Sequence, residues 1–369
     1  MRTFLRTPVL VSAALTADLF LEPLLKDMRA IPDFEFAARD YLDDKQYSYY
    51  RAATADEWKG RRVPDDANLN FGKRYRNNLE IWTNVKFRPR HLRDVTKANE
   101  TLATTVSGYN FSAPIFIAPA ARGGYAHERG ELNFAEARGE EDILYCAAVY
   151  ASKTIEEIAP AKSNSTLSGP QVLFQHIYTS GNLSVMWNII RRAEKSGAKA
   201  LAWTIDAPAA STHHRAARHG ATNAKLTEPR LQQRRDYGAD LEHGIATVED
   251  ALVAVEKGVP AIYTSNHEGR QLDHSPSPLE IAYEIRRNAP EVLQKVEVLA
   301  DSGVRCGSNV IKLLALGVRA VGLGRPFMFA NTYGVEGVRK AIRVLKAEIA
   351  ADAAQLGHPR RPEHPHELH

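Results

Sequence analysis

One short segment of the sequence has residue types that suit proton transfer beside an anion. Residues 265–273 read SNHEGRQLD, with His267 three residues before Arg270. An imidazole can accept a proton near neutral pH, and a guanidinium offers two parallel donors to a carboxylate. A lone histidine near an arginine more often belongs to a capped loop. Its place directly after a hydrophobic run favours catalysis here, because polar residues at strand ends form the active sites of barrels.

A second set of residues suits a phosphate group. DSGVR at 301–305 and GLGR at 322–325 each follow a short hydrophobic run. In parallel barrels, the turns after the seventh and eighth strands commonly hold a phosphate through backbone N–H groups and basic side chains. Arg305 and Arg325 have no evident structural need. We therefore favour a phosphate site over glycines that only form tight turns.

These segments must be positioned by a repeated unit of strand and helix. From residue 113 onward, short hydrophobic runs alternate with longer amphipathic stretches, which is typical of βα units around a parallel sheet. Helices are predicted over 184–197 and 247–258, the second with Thr247 as its N-cap and Gly258 at its end. The predicted strands are residues 113–120, 144–151, 171–178, 198–207, 261–267, 296–301 and 319–324.

A TIM (βα)8 barrel needs one strand more than these seven. It would lie between Ala207 and Thr247, where the sequence is polar and basic almost throughout. Because a missing strand would leave its neighbours with unpaired edges, we expect a fifth strand that is degenerate or shortened but present. The predicted fold is thus an α/β barrel over residues 113–357, with an N-terminal helical segment at 32–112 packed on it.

Composition excludes several classes of protein. The 48 Lys and Arg residues against 44 Asp and Glu residues leave a charge of only +4 on 369 residues, so no nucleic-acid partner is expected. No apolar run reaches the roughly 20 residues that a membrane span needs. Residues 358–369 are predicted to be a disordered tail. Residues 1–31 fit a secretory signal, a mitochondrial presequence or a disordered leader, so secreted, mitochondrial and cytoplasmic locations all stay open.

Collinear blocks over residues 32–357 resemble the FMN-dependent α-hydroxy-acid oxidases and dehydrogenases, most of all in their fungal form. This family includes glycolate oxidase, lactate oxidase and the flavocytochrome lactate dehydrogenases. The resemblance implies an FMN enzyme that oxidises a 2-hydroxy acid, or a related alcohol, to the 2-oxo product and passes electrons to oxygen or another acceptor. It also makes a homo-oligomer one expectation. The blocks include DFEFAARDYL, APIFIAPAA, YASKTIEEIA, RRAEKSGAKALAWTIDAP, SNHEGRQLD and ADSGVRCGSNVIKLLALGVRAVGLGRPFMFA.

The resemblance implies a role for each matching residue. His267 would be the base that takes a proton from the substrate as a hydride equivalent passes to the flavin, and Asp206 would hold and polarise that histidine. Arg270 and Tyr49 would bind the substrate carboxylate. No metal is implied. The other matches would hold FMN: Gln175 and Thr204 at its ring, Asp301 at its ribityl chain, Arg305, Gly324 and Arg325 at its phosphate, with Ser265 and Gly303 also at the cofactor site.

Two departures from the family pattern affect the predicted flavin site. His243 stands where the family has a lysine that stabilises the reduced flavin. The family's second active-site tyrosine falls on Ile177, and Tyr178 comes one residue later. Since side chains alternate along a strand, we expect Tyr178 to face the opposite side.

Other departures affect the charge of the predicted site. His213 stands where many members have an arginine, Glu268 replaces a glycine after the base, and Ser302 replaces the first glycine of a pair. We expect the carboxylate of Glu268 to compete for Arg270 and to repel an anionic substrate. Two interpretations follow. The chain is a divergent flavoenzyme, which we favour, or a catalytically impaired barrel that acts as a binding or scaffold protein.

Overall fold

The computed structural model of the protein describes residues 23–54, 73–96, 102–161, 171–179, 182–209, 211, 213–221 and 240–357. Most of the predicted leader and the whole predicted tail lie outside these residues. Residues 23–31 of the predicted leader are described, and Met28 among them is buried against the rest of the chain.

Three helices precede the barrel: α1 (Ile31–Tyr41), α2 (Asp44–Arg51) and α3 (Lys73–Glu80). Helix α2 begins in a capping box, in which the Asp43 side chain accepts from the backbone N–H of Gln46 and the Gln46 side chain accepts from that of Asp43. This start sets the rotation of α2, which buries Tyr49 and Tyr50 against the barrel. The helical segment thus brings two aromatic side chains to the barrel.

A hairpin that the sequence analysis did not predict joins this segment to the barrel. Strands β1 (Thr104–Val106) and β2 (Tyr109–Phe111) pair in antiparallel fashion. Ser107 and Gly108 between them have φ values of 49° and 79°, as a tight hairpin turn requires. Val106 and Phe111 pack on the side chains that fill the barrel interior, so the hairpin covers one end of the barrel.

Eight parallel strands close into a barrel, as predicted. Each pairs with its neighbours in the chain, and the last pairs with the first. The interior is filled by side chains such as Phe116, Phe174, Tyr263 and Leu299. The strands are β3 (Ile115–Ile117), β4 (Leu144–Ala147), β5 (Leu173–Tyr178), β6 (Ala200–Thr204), β7 (Leu241–Ile245), β8 (Ala261–Thr264), β9 (Glu297–Ala300) and β10 (Ala320–Leu323).

The fifth barrel strand, predicted between Ala207 and Thr247, is β7. It is present and distorted, as expected, because its register against β8 shifts between His243 and Ile245. It is not shortened, since its five buried residues equal β6 in length. Gly244 carries the irregularity with a φ of +101°. The sequence concealed this strand, because LEHGI contains no continuous hydrophobic run.

Helices surround the barrel. Those predicted over 184–197 and 247–258 are confirmed, and the Thr247 side chain caps the second by accepting from the N–H of Asp250. Among the described residues, no helix is both long and apolar enough to cross a membrane. The helices are α4 (Glu131–Glu141), α5 (Ile155–Ile158), α6 (Leu183–Lys195), α7 (His214–Arg218), α8 (Val248–Glu256), α9 (Pro278–Asn288), α10 (Val292–Lys295), α11 (Gly307–Ala315), α12 (Arg325–Ala330) and α13 (Gly334–Gln355).

Candidate active site

A cavity of about 220 Å³ lies at the carboxyl ends of the barrel strands. Tyr178 at the end of β5, His243 in β7 and His267 after β8 line it from the barrel. Tyr49 of α2 lines it from the N-terminal segment. This is the end at which barrel enzymes carry out chemistry, so the cavity is the candidate active site.

His267 lies between a carboxylate and a phenol. Its Nδ1 is 3.2 Å from each carboxylate oxygen of Asp206, and its Nε2 is 3.1 Å from the hydroxyl of Tyr178. A proton on Nδ1 satisfies Asp206 and leaves Nε2 as the acceptor. The backbone of His267 has a φ of 57°, and its N–H donates to the Ser265 hydroxyl at 2.9 Å. That bond helps to hold an uncommon backbone conformation at the predicted base.

The prediction that Tyr178 faces away from the cavity is wrong. Phe174 packs inside the barrel, whereas Ile177 packs outside it against α6. Since side chains alternate along a strand, Phe174, His176 and Tyr178 share the inner face of β5. His176 and Tyr178 both line the cavity. Tyr178 is thus available at the place where the resemblance had put Ile177.

The same alternation moves Gln175 away from the cavity. Its side-chain amide donates to the carbonyls of Ala147, at 3.2 Å, and His176, at 2.8 Å. The structure therefore does not bring Gln175 to the predicted ring site, and His176 occupies the inner face instead. The two-residue spacing of His176 and Tyr178 indicates that they share a face of the strand. The sequence does not reveal which face is the inner one, because both faces of the strand are buried.

Thr204 joins two histidines below the cavity. Its hydroxyl lies 2.6 Å from Nε2 of His176 and 3.1 Å from Nδ1 of His243. Burial lowers the pKa of His243 to about 3. His243 is therefore neutral near pH 7 and does not supply the permanent positive charge of a lysine.

Gly244 lets β7 approach Asp206 closely. A side-chain carbon at Gly244 would lie 2.7 Å from both Cβ and Cγ of Asp206. The positive φ of Gly244 also belongs to a region that other residues avoid. The irregularity in β7 therefore makes room for the carboxylate that orients His267.

Asp301 lies in a group of hydroxyls beside the same cavity. Its Oδ1 accepts from the Ser265 hydroxyl at 2.6 Å and the Ser302 hydroxyl at 2.9 Å, and its Oδ2 accepts from Tyr263 at 2.9 Å. Burial raises the pKa of Asp301 to about 6, although these hydrogen bonds favour the ionised form. Ser265 thus links Asp301 to the backbone of His267.

Arg270 and Tyr49 lie together, as predicted for a pair that binds a carboxylate. The Arg270 guanidinium lies 5.4 Å from the centre of the Tyr49 ring, and its Nη1 donates to the carbonyls of Tyr49 and Ala52. These bonds fix helix α2 to the loop after β8. His213 bonds the Arg270 carbonyl through Nε2 at 2.8 Å, and burial lowers the pKa of His213 to about 4. Arg270 and His267 both line the cavity.

The predicted phosphate site gathers around a carboxylate. Arg305 and Arg325 lie 2.7 Å and 3.1 Å from the two carboxylate oxygens of Glu268. The backbone N–H of Gly303 also lowers the pKa of that carboxylate. The expectation that Glu268 competes for Arg270 is therefore wrong, because its carboxylate turns to the other two arginines. Gly324 adjoins the pair, with space for a side-chain carbon 3.9 Å from Oε2 of Glu268.

Asp206, His243 and His267 are also the group among the described residues whose donor atoms could hold a metal ion. Their nitrogen and oxygen atoms lie within 4.8 Å of one another. Asp206 and His267 already pair directly, which is the arrangement that a general base needs. Two of the three possible ligands are therefore already paired with each other.

Comparison with known proteins places this site in a family. The FMN-dependent dehydrogenase model matches residues 66–238 and 243–367. The chain belongs to the FMN-dependent dehydrogenase family. It is an oxidoreductase with the TIM-barrel fold, and FMN is the cofactor of the family. The gap between the matched stretches falls at residues 239–242, where the distorted strand β7 begins.

Relatives and solved structures agree with this membership. An L-lactate dehydrogenase (cytochrome) of Wickerhamomyces anomalus is 31% identical, and the matched region covers 91% of this chain and 60% of that protein. A peroxisomal (S)-2-hydroxyacid oxidase of Arabidopsis thaliana is 32% identical, with 89% of this chain and 93% of that protein covered. A mutant flavocytochrome b2 with benzoylformate is 28% identical, with a TM-score of 0.81 over 94% of this chain and 87% of that one.

The residues present fit FMN in their chemistry. The guanidinium groups of Arg305 and Arg325 already bind an oxyanion, the carboxylate of Glu268, and a phosphate is an oxyanion of higher charge. Asp301 is the polar group predicted for the ribityl chain, and Ser265, predicted at the cofactor site, donates to it. Thr204 lies among the histidines of the predicted ring site. The fit at the phosphate end requires that Glu268 give up its partners.

Proposed function

We propose that the protein oxidises a 2-hydroxy acid to the 2-oxo acid with FMN as its cofactor and His267 as the base. The observation that carries this proposal is the array of Asp206, His267 and Tyr178, in which His267 and Tyr178 line the cavity together with Arg270. Family membership supports the reaction class, because the matched relatives include 2-hydroxyacid oxidases and an L-lactate dehydrogenase.

The base works through the two nitrogens of its ring. Asp206 accepts the Nδ1 proton, fixes the tautomer and stabilises the positive charge that develops when Nε2 takes a proton from the substrate. The Tyr178 hydroxyl marks the position, 3.1 Å from Nε2, where a substrate hydroxyl can bind. Bound FMN supplies the acceptor for the hydride equivalent that leaves the substrate carbon.

The substrate carboxylate is bound by Arg270 together with Tyr49. Arg270 is held by its bonds to the end of α2, so the guanidinium is positioned before substrate arrives. His213 bonds the carbonyl of Arg270 and stays neutral near pH 7 because burial lowers its pKa to about 4. The electrons then pass to oxygen or to another acceptor.

Anaerobic reduction of the flavin tests this proposal. The purified protein, supplied with FMN, is mixed with a panel of small 2-hydroxy acids, and the flavin absorbance near the visible maximum is followed. We expect at least one acid to bleach the wild-type flavin. The variant His267→Asn should lose about two orders of magnitude or more in the rate of bleaching, since it removes a general base, while its visible spectrum before mixing stays that of bound FMN.

The matched control is His91→Asn, because His91 is exposed on the surface. An unchanged rate in His267→Asn would overturn the role of the base. Repeating the assay with oxygen and with an artificial acceptor shows which of the two reoxidises the flavin.

The alternative is a catalytically silent barrel that binds ligands without turning them over. The neutral, buried His243 at the position of the family's lysine favours it, because it removes a charge that would stabilise reduced flavin. The two functions differ in one outcome of the same assay. A protein that shows the spectrum of bound FMN but is bleached by none of the acids is the silent barrel.

A further inference from the structure

Glu268 occupies the place where the structure gathers its donors for an oxyanion. Its Oε1 accepts from Nη2 of Arg305 at 2.7 Å, and its Oε2 lies 3.1 Å from Nη1 of Arg325. The N–H of Gly303 also lowers the pKa of the same carboxylate. Arg305 and Arg325, which the sequence predicts for a phosphate, therefore bind a side chain of the protein itself.

The carboxylate is ionised and largely shielded from water. Its side chain is only 12% exposed, and the side chains of Arg305 and Arg325 are 13% and 5% exposed. Burial by itself would raise the pKa of Glu268, but the two guanidinium groups and the N–H of Gly303 lower it to about 2. Two arginines and one glutamate leave the group with a net charge of +1, where the arginines alone would present +2 to a phosphate.

The backbone at this position is held in the conformation that aims the side chain inward. Glu268 has a φ of 51° and a ψ of 40°, in the left-handed region that non-glycine residues adopt at a cost. Its N–H donates to the Ser302 hydroxyl at 2.9 Å, and its carbonyl accepts from Arg325 at 2.9 Å. Bonds on both sides of the residue compensate for the strain and fix the direction of the carboxylate.

The carboxylate and a bound phosphate cannot share this space. Glu268 lines the cavity, and a side-chain carbon at Gly324 would lie 3.9 Å from its Oε2. The cavity volume of about 220 Å³ is measured with Glu268 in this position, and it is smaller than the roughly 300–1,000 Å³ of typical cofactor sites. A phosphate that enters must displace the carboxylate from both arginines.

We propose that Glu268 is a resident competitor for the phosphate of FMN, so that the site binds riboflavin, which has no phosphate, about as tightly as it binds FMN. This inference rests on the proposed function in so far as it assumes a flavin. A phosphate monoester carries a charge of about −1.5 to −2 near pH 7, and it gains contacts with the arginines only by exchanging one anion for another. Riboflavin leaves the contacts of Glu268 in place.

Flavin titration of the full-length chain, freed of bound flavin, tests the proposal. Dissociation constants for FMN and riboflavin are measured by fluorescence in the wild type, in Glu268→Gln and in Glu268→Gly. Glutamine keeps the shape and removes the charge, and glycine also relieves the left-handed backbone. The control Glu284→Gln makes the same change of charge at an exposed position of α9.

We expect the wild type and Glu284→Gln to bind the two flavins within about threefold of each other. In both Glu268 variants, the dissociation constant of FMN should fall by about tenfold or more, which corresponds to about 1.4 kcal/mol, with that of riboflavin changed less than about threefold. A wild-type preference for FMN of about a hundredfold, or a ratio of the two constants that the variants leave unchanged, would overturn the proposal.

Inorganic phosphate provides a readout that needs no flavin. Thermal unfolding is measured in phosphate and in sodium chloride of equal ionic strength. Phosphate should raise the unfolding temperature of Glu268→Gln and Glu268→Gly by several degrees more than chloride does and should leave the wild type and Glu284→Gln within about one degree. Equal shifts in all four proteins contradict a resident competitor. If no protein binds either flavin, the proposed function fails, and the phosphate experiment still decides the role of Glu268.

Discussion

His267 depends on partners from three different strands of the barrel. Asp206 follows β6, Tyr178 ends β5 and Ser265 follows β8, and each contacts a different atom of the histidine. The ring of the proposed base, held by Asp206 and Tyr178, keeps one orientation and one tautomer, which lowers the reorganisation needed for proton transfer. Both ring contacts are with residues distant in the chain, and the bond to Ser265 is a local one that holds the backbone.

Replacing Tyr178 by phenylalanine tests the inner face of β5. Loss of the 3.1 Å contact with Nε2 of His267 should lower kcat by about tenfold, since one hydrogen bond contributes about 1 kcal/mol or slightly more. Steady-state kinetics on the acid that bleaches the flavin fastest measure the effect. The control Ile177→Val alters the outer face and should leave kcat within about twofold. A loss of activity in Ile177→Val, with none in Tyr178→Phe, would show that the opposite face points inward.

At the scale of elements, β7 is a barrel strand with one irregularity in its pairing. It pairs with β6 and β8 and so closes the barrel, yet its register shifts at Gly244. That shift brings the backbone of β7 against Asp206, and a bulge near an active site commonly re-aims side chains in this way. The strand therefore contributes to the site through its backbone as well as through His243.

Replacing Gly244 by alanine should displace Asp206. The new carbon would lie 2.7 Å from the Asp206 side chain in a residue with a φ of +101°. We expect the free energy of unfolding to fall by about 2–4 kcal/mol, from strain and overpacking together, and kcat to fall by about tenfold or more. Urea unfolding and steady-state kinetics measure the two effects.

Gly258→Ala is the matched control for this prediction. Gly258 has a φ of +69°, but a side-chain carbon there would meet nothing within 4 Å. It should lose only about 1 kcal/mol of stability and keep full activity. If both alanine variants lose activity equally, the close approach of β7 to Asp206 has no part in catalysis.

At the scale of the whole molecule, buried titratable groups at the cavity link stability to pH. Burial lowers the pKa of His213 to about 4 and that of His243 to about 3, so each is neutral when folded and becomes charged near pH 6.5 when unfolded. Both contributions to stability are present above pH 6.5 and are lost as the pH falls. Asp301 acts in the opposite sense, because its pKa of about 6 in the folded protein favours the protonated form.

The free energy of unfolding should therefore fall as the pH drops from 6 to 4.5. In that range the unfolded chain carries up to two protons on these histidines while the folded protein carries up to one on Asp301. The net difference from these three groups is about one proton, or about 1.4 kcal/mol per pH unit. Urea unfolding at several pH values measures this slope. His243→Asn should reduce the slope by about 1.4 kcal/mol per pH unit, and a slope that stays the same in this variant would contradict a neutral, buried His243.

Much of the fold and of the candidate site could be predicted from the hydrophobic pattern of the sequence and from the polar residues at the strand ends. Near-continuous apolar runs predicted seven of the eight barrel strands, because strands buried on both faces need no polar alternation. The polar residues after those runs, such as His267 and Arg270, had to meet at one end of the barrel, because parallel strands all end there. Asp206 also follows such a run, and it contacts His267. The family's motifs added Tyr49, which lines the same cavity.

Only the tertiary structure decided which way individual side chains turn. The inner face of β5 carries Tyr178 and not Gln175. The sequence could not predict this, because a strand buried on both sides does not show which set of alternating side chains points inward. Glu268 pairs with Arg305 and Arg325 instead of Arg270, because the fold brings the guanidinium groups of those two residues to its carboxylate. Strand pairing and charge pairing are non-local, so the barrel itself had to be formed before either was determined.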